Sequence, residues 1–352
     1  MSGPAPAVAA VRSAVRAALA DLPVGALVVV GCSGGPDSLA LAAAASFAAR
    51  RGGLRAGAVV VDHGWRPSSA GEAARAAAAC SALGLAPVHV VRVSDEPREP
   101  DDGGGGPEAA ARRVRYAAFE RIAAEEGADA VLLGHTLDDQ AETVLLGLAR
   151  GSGARSLAGM PARRGPYRRP FLDLPRAVTH DACAALGLDP VLDPSNADPR
   201  YTRTRVRSAL AVLEEALGPG LAAALARTGA LLAEDAAALE LAAAELLVAA
   251  RAHPGRPSVE LSCQVLAAAP DAVRRRALLA AARAAGAAAG SLSRRHALAL
   301  DALVVRPRGQ GPVHLPGGVV AGRGCGTLWF APRGTGRPID RPSGEQEDRA
   351  AE

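Results

Sequence analysis

Lysine is absent from the 352 residues, so all 40 basic side chains are arginine. That absence excludes the GxxxxGK(S/T) loop, whose lysine reaches the terminal phosphates of a nucleotide. It also weakens any single arginine as a functional signal, because a chain this rich in alanine and arginine carries many of them on solvated surface. Aromatic residues are only 3% of the chain, so a core must be packed by alanine, leucine and valine; a hydrophobic content of 49% is ample for one. The five cysteines, Cys32, Cys80, Cys183, Cys263 and Cys325, are scattered and form no CxxC pair. Neither a disulfide framework nor a zinc or iron–sulfur site is expected from them. No uninterrupted apolar run reaches the length of a membrane span. The opening stretch MSGPAPAVAAVRSAVRAALADL carries Arg12, Arg16 and Asp21 and reads as an amphipathic helix rather than a signal peptide. A cytoplasmic location and no membrane partner are the expectation. The net charge of +4 is compatible with a polyanionic partner without requiring one.

What is present is an alternation of short apolar runs with helical patterns. Helices are expected at 7–20, 38–50, 70–83, 108–127 and 136–151, and strands at 27–30, 54–64, 86–93 and 128–135. A polar loop rich in Pro and Gly fills 94–108. Strand–helix alternation of this kind predicts an α/β fold with a doubly wound, mostly parallel, Rossmann-like sheet. Beyond about residue 217 the chain turns to alanine-rich helix at 218–255, 270–285 and 291–304, then to a small β-hairpin unit at 311–332. The expected domains are a catalytic domain over 1–217 and a smaller, mainly helical, substrate-binding domain over 218–332. The charged, Pro- and Gly-rich tail at 333–352 reads as disordered.

The stretch VVVGCSGGPDSLALA (28–42) carries the first chemistry. In a parallel sheet ligands bind at the carboxyl ends of strands. Gly34 and Gly35 let the backbone curl so that its N–H groups form an anion nest. A helix starting near Pro36 adds its positive end, and Ser33 and Ser38 offer hydroxyl donors. Asp37 repels phosphate unless a cation lies between them, which makes it a candidate Mg²⁺ ligand. The dinucleotide signature GxGxxG is missing at this turn. The bland reading, a plain turn with an acid near a helix start, explains the string less completely.

Other strings converge on the same edge of the sheet. HTLDDQAET (135–143) sets His135 at a strand end and Asp138, Asp139 and Glu142 three and four apart on a helix. Two of these acids suit a helix dipole; the whole string suits a cationic substrate or a metal. ARRVRY (111–116) places Arg112 and Arg115 on one helix face, a geometry for phosphates or for a solvated basic face. Asp62 and His63 tip a strand where adenine or ribose docks, or where His63 is structural. Residues 150–176 and 192–207, with Tyr167, Asn196, Arg200, Tyr201, Arg203, Arg205 and Arg207, read as basic loops able to follow an RNA backbone.

The loop SGGPDS resembles the SGGxDS loop of the N-type ATP pyrophosphatases, the PP-loop family. SGGPDS, VDHGWR, ARRVRY, GHTLDDQAET, RGSGARSLAGM, RRPFL and DPSN…RTRVR, in that order over residues 28–207, are similar to the tRNA(Ile)-lysidine synthetase branch of that family. RTRVR (203–207) departs from the R-N-x-I-R that the family often shows. The resemblance implies ATP and Mg²⁺ as cofactors, and free lysine and a CAU-anticodon isoleucine tRNA as partners. It implies adenylation of the wobble cytidine and displacement of AMP by the side-chain amine of lysine. In those terms Ser33, Gly34, Gly35, Pro36, Asp37, Ser38, Asp62, His63 and Gly134 bind ATP, and Asp37 holds the metal. Asp138, Asp139 and Glu142 bind lysine; Arg203, Arg205 and Arg207 touch tRNA; Asp37, Arg112, Arg115, His135 and Asp139 are catalytic. His135 or a nearby carboxylate is the candidate base. The oligomeric state is left open, a homodimer included. The rival readings are a tRNA cytidine thiolase, which usually needs cysteine ligands, and a tRNA-binding protein with a vestigial ATP site.

Overall fold

The computed structural model describes residues 3–64, 68–93, 107–151, 153–191, 198–252, 259–306 and 311–334. Most of the 94–108 loop and of the 333–352 tail, together with Trp65, Arg66, Ser152 and the DPSN string at 193–196, lie outside the described residues. Contacts divide the chain into two compact units, Met1–Ala233 and Glu234–Glu352.

The first unit runs α1 (Pro6–Ala18), β1 (Leu27–Gly31), α2 (Pro36–Gly52), β2 (Arg55–Asp62), α3 (Ser69–Ala82), β3 (Val88–Arg92), α4 (Pro107–Glu125), β4 (Ala130–Leu133) and α5 (Leu137–Ala149). It continues through α6 (Ala154–Leu157), β5 (Arg163–Arg164), β6 (Tyr167–Arg168), α7 (Arg176–Ala185) and α8 (Thr202–Leu217). The sheet order is β3-β2-β1-β4-β6-β5, parallel except for the β5–β6 hairpin. The order reverses direction at β1, so the crevice between the ends of β1 and β4 is the switch point where such sheets bind ligands.

Side chains of a strand alternate between faces, and the two cores follow that parity. Val28, Val30, Val60 and Leu132 pack with α1, α2 and α7, where alanines such as Ala40, Ala44 and Ala45 let the helices approach closely. Leu27, Val29, Val131 and Leu133 face α4 through Phe119 and Ile122. Each fully buried valine or leucine contributes roughly 1.5–3 kcal/mol, so the scarcity of aromatic residues is offset by number. Gly31 is required by close approach, since a Cβ there would lie 2.7 Å from the Phe119 ring.

Two expected loops hold regular structure. The stretch 150–176 contains α6 and the β5–β6 hairpin, and the RTRVR string lies in the first turns of α8, not in a loop. Unread in the sequence, α7 begins after Pro175, buries Thr179, Ala182 and Cys183 at helical spacing, and is followed by Gly187 at positive φ.

The second unit takes in most of α9 (Leu221–Ala249), followed by β7 (Val259–Ser262), α10 (Cys263–Ala268), α11 (Asp271–Ala284), α12 (Arg294–Val305), β8 (Val313–Leu315), β9 (Val319–Gly324) and β10 (Thr327–Pro332). The expected hairpin unit is a four-stranded antiparallel sheet, β7-β10-β9-β8. Four residues of β7 are too few to show a period, and their partner, β10, lies more than sixty positions on. Leu261, Leu278, Leu300, Leu303, Leu328 and Phe330 fill its core. Among the described residues no single helix is long and apolar enough to cross a membrane.

Candidate active site

The bend after β1 closes on itself. Ser38 Oγ donates to Gly35 O (2.9 Å) and accepts from Ser33 N (3.2 Å). Gly34 has φ +81°, a conformation that glycine adopts without strain, and a Cβ there would press on Ala76 at 3.0 Å. Gly35 is the extended residue before α2, Pro36 occupies the first helical position, and no side chain caps the helix. The first turn of α2 therefore presents backbone N–H groups and the positive end of its dipole toward the crevice. Gly134 lets the end of β4 lie against that turn; a Cβ would stand 3.1 Å from Asp37 O and 3.4 Å from Ser38 N. Cys32, beside the bend, is buried at 3% exposure, and its thiol contacts Ser38 Oγ.

Asp37 points toward α7. Thr179 Oγ1 donates to Asp37 Oδ1, His180 Nε2 lies 3.8 Å from the same oxygen, and Arg176 Nε lies 3.8 Å from Oδ2. Burial pushes the Asp37 carboxyl above its ordinary value, against the pull of Thr179 and Arg176. The carboxylates of α5 meet the same arginine. Asp138 Oδ2 accepts from the Arg176 backbone N–H at 2.7 Å and so caps α7. Asp139 completes a capping box with Thr136 at the start of α5 and accepts from Arg176 Nη2 at 2.9 Å. Burial alone would raise the Asp139 carboxyl; the charge of Arg176 and the Thr136 N–H outweigh it and hold it low. Glu142, 1% exposed, accepts through Oε1 from Arg207 Nε (2.9 Å) and Arg176 Nη2 (3.4 Å). Its other oxygen, Oε2, is buried with no hydrogen-bond partner.

Loop, metal candidate and acid string thus meet around one side chain, Arg176, which the sequence did not single out. Thr179 and His180 were also missed. The signal was there in LPRAVTHDACAALG, a proline followed by apolar residues four apart and a glycine stop. Within the acid string, Asp138 and Asp139 already serve Arg176 and helix starts, so the capacity for a cationic substrate left in that string is the buried Glu142 Oε2.

The remaining residues lie on the flanks of the crevice. Asp62 closes β2, accepts from Gly64 N at 3.0 Å, and has half-buried His63 beside it. Burial would raise Asp62, but Ser69, Gly64 and Arg92 hold it below the usual carboxylate range. His135 follows β4; burial and the charges of Arg169, Arg112 and Arg203 hold its pKa down to about 3, despite Asp139 nearby. A neutral imidazole that weak is a poor proton acceptor at neutral pH. Arg112 and half-buried Arg115 lie on α4, and Arg112 Nη2 donates to Tyr116 Oη at 3.1 Å. Arg203, Arg205 and Arg207 do not act as one patch. Arg207 reaches Glu142, whereas exposed Arg205 bonds Pro199 O (2.7 Å) and Arg200 O (3.0 Å).

Among the described residues no three His, Cys, Asp or Glu side chains gather as a metal cage. A single carboxylate beside an anion nest fits Mg²⁺, which keeps several waters and is bound through one or two carboxylates plus substrate phosphates. It does not fit an iron–sulfur cluster, which needs thiolates.

Comparison with known proteins gives the same two parts. A family model described as a PP-loop domain matches residues 10–214, and one described as a TilS substrate binding domain matches residues 261–329. A tRNA(Ile)-lysidine synthase of Thermobifida fusca is 55% identical over 318 residues, covering 90% of this chain and 95% of its own length. The protein of the same name from Salinispora tropica is 53% identical over 333 residues (93% and 97%), and that from Streptomyces coelicolor 48% identical over 356 residues (93% and 98%). Among solved structures, a U34-tRNA thiolase from Methanococcus maripaludis, with its 4Fe–4S cluster, has a TM-score of 0.54 at 22% identity, covering 65% of this chain and 80% of its own. That likeness is one of fold.

Proposed function

The chain belongs to the tRNA(Ile)-lysidine synthase family, and from that premise we propose how its site joins free lysine to the wobble cytidine of a CAU-anticodon tRNA(Ile) at the expense of ATP. The observation that carries the proposal is the uncapped amino end of α2, bent through Gly34 and aimed into the crevice between β1 and β4. That geometry suits the phosphates of ATP, held by backbone N–H groups and by the hydroxyls of Ser33 and Ser38. In the first step the cytidine 2-oxygen attacks the α-phosphorus and the bond to pyrophosphate breaks. Mg²⁺, held by Asp37, would neutralise charge on the departing pyrophosphate. Arg115 on α4 steadies the phosphate charge of ATP from the other flank, Arg112 beside it serves the target nucleotide, and Asp62 and His63 bound the nucleoside end of the ATP site.

In the second step the lysine side-chain amine, its ammonium proton given up to water, bonds to C2 of the cytidine, the bond from C2 to the adenylated oxygen breaks, and AMP leaves with that oxygen. Glu142 Oε2 is the anchor for the lysine ammonium or α-amino group, with Asp138 and Asp139 fixing Arg176 and the rim around it. His135 shapes the pocket as a neutral group rather than removing the proton. The unit that includes residues 261–329 serves tRNA contact, with Arg203 and Arg205 on α8 as further candidates. A cytoplasmic location follows from the substrate.

Pyrophosphate release measured with purified protein is expected to require both the tRNA and free lysine for sustained turnover. A thiolase would show no dependence on lysine, and a binding protein with a decayed ATP site would release none.

A further inference from the structure

We propose that Arg169, together with Arg112, forms a receptor for a phosphate group, and that this phosphate comes from the backbone of the RNA substrate at its target nucleotide. The inference rests on the function proposed above and names one contact within it.

Three arginines are buried among the described residues: Arg168, Arg169 and Arg274. Arg168 pairs with Asp21, and Arg274 pairs with Asp301 (2.6 Å) and Asp271 (2.7 Å). Arg169, 5% exposed, has no carboxylate within ion-pair distance among the described residues. Its Nη1 donates to Pro161 O (2.9 Å), its Nη2 to Tyr116 Oη (3.3 Å), and its Nε is buried with no partner. A buried charge left without a counter-charge is costly, so the fold holds this guanidinium for an anion that arrives later.

The surroundings support that reading. Arg112 donates to the same phenol oxygen at 3.1 Å and sits over the Tyr116 ring, its Cζ 4.8 Å from the centroid. Two guanidinium groups therefore converge on one neutral oxygen. The two non-bridging oxygens of a phosphodiester match a pair of guanidinium forks. Tyr116 is itself fixed by Tyr167, whose ring lies 4.9 Å away and whose hydroxyl donates to Glu120. His135, neutral and with its Nδ1 buried and unpartnered, lies in the field of both arginines and adds no positive charge.

Leu132 pairs with Arg168 and Gly31 with Leu133, so the backbone of Arg169 stands level with Gly31, two strands away, roughly 10 Å at ordinary strand spacing. Binding of RNA and of an ATP analogue, measured separately, tells which phosphate the guanidinium takes.

The test uses the full chain, a CAU anticodon stem–loop RNA, a non-hydrolysable ATP analogue and inorganic phosphate. Arg169→Gln is expected to weaken RNA binding about tenfold and to reduce the slope of log affinity against log salt by about 0.7. Affinity for the ATP analogue should stay within about twofold. The variant should melt no lower than the wild type, and inorganic phosphate should raise the melting temperature of the wild type more than that of the variant. An unchanged RNA affinity and salt slope would overturn the proposal, as would a fall in analogue affinity alone. A large drop in melting temperature with an intact salt slope would make Arg169 a structural strut and overturn it too. If Arg169→Gln does not fold, Arg169→Lys keeps the charge and loses the fork: partial loss of RNA affinity supports the receptor, wild-type affinity refutes it. A wild-type protein that binds no RNA at all would instead refute the function proposed above.

Discussion

Asp37→Ala is expected to reduce turnover by roughly 10²–10³-fold or more while leaving tRNA affinity largely intact. The size of the effect follows from position. Asp37 is the carboxylate at the amino end of α2, within the turn that faces the crevice, and no second metal ligand set exists among the described residues to take its place. The loss should not come from unfolding. Burial raises the Asp37 carboxyl above its ordinary value of about 3.9. A raised folded-state value means the charged form costs stability at neutral pH, so removing the carboxylate relieves that cost. Asp37→Asn, which keeps an oxygen for the Thr179 hydroxyl, should therefore melt at or above the wild type and still be nearly inactive. The same shift sets a pH dependence. Proton and Mg²⁺ compete for this carboxylate, so at limiting Mg²⁺ activity should fall with pH earlier than an ordinary aspartate would give, and saturating Mg²⁺ should move that limb to lower pH. The residual activity of Asp37→Asn should lack that limb. Normal turnover in either variant would remove the metal assignment.

Glu142→Gln is expected to raise the KM for lysine about 10–100-fold, the worth of one charge-assisted hydrogen bond at roughly 1.5–3 kcal/mol. ATP affinity should be little changed, because the bend after β1 does not use this side chain. Gln keeps the volume and one acceptor for Arg207 and Arg176, so the packing of α5 against α8 is preserved. What is lost is the negative charge at the one buried carboxylate oxygen that has no hydrogen-bond partner among the described residues. A steady-state series over lysine at saturating ATP and tRNA measures this, and a KM within twofold of wild type would take lysine recognition away from Glu142.

Much of this site was legible in the sequence because its parts are local. The bend after β1, the acid string at the start of α5 and the strand tips are each written within ten residues, and a parallel sheet brings strand ends to one edge. The sequence did not disclose what depends on long-range partners. Arg168 and Arg169 are adjacent and chemically identical, yet one reaches Asp21, 147 residues away, and the other is left with neutral partners. In a chain without lysine, composition could not separate them. Arg176 sits among many arginines at the start of a short, alanine-rich helix whose start and stop are written locally, but that Thr179 and His180 turn toward Asp37 follows only from the packing of α7 against α1 and α2. Likewise RTRVR was read as a loop, although α8 carries Arg207 back to Glu142.

The central claim is that the crevice between β1 and β4 activates a tRNA cytidine with ATP and presents lysine to it. Mass analysis of the anticodon nucleoside, after incubating a CAU-anticodon tRNA(Ile) transcript with the protein, ATP and lysine, tests this most directly. The account predicts that the wobble cytidine gains lysine with loss of one water, only when ATP and lysine are both supplied. An unmodified cytidine in the presence of both, with protein that is folded and binds the transcript, would contradict it.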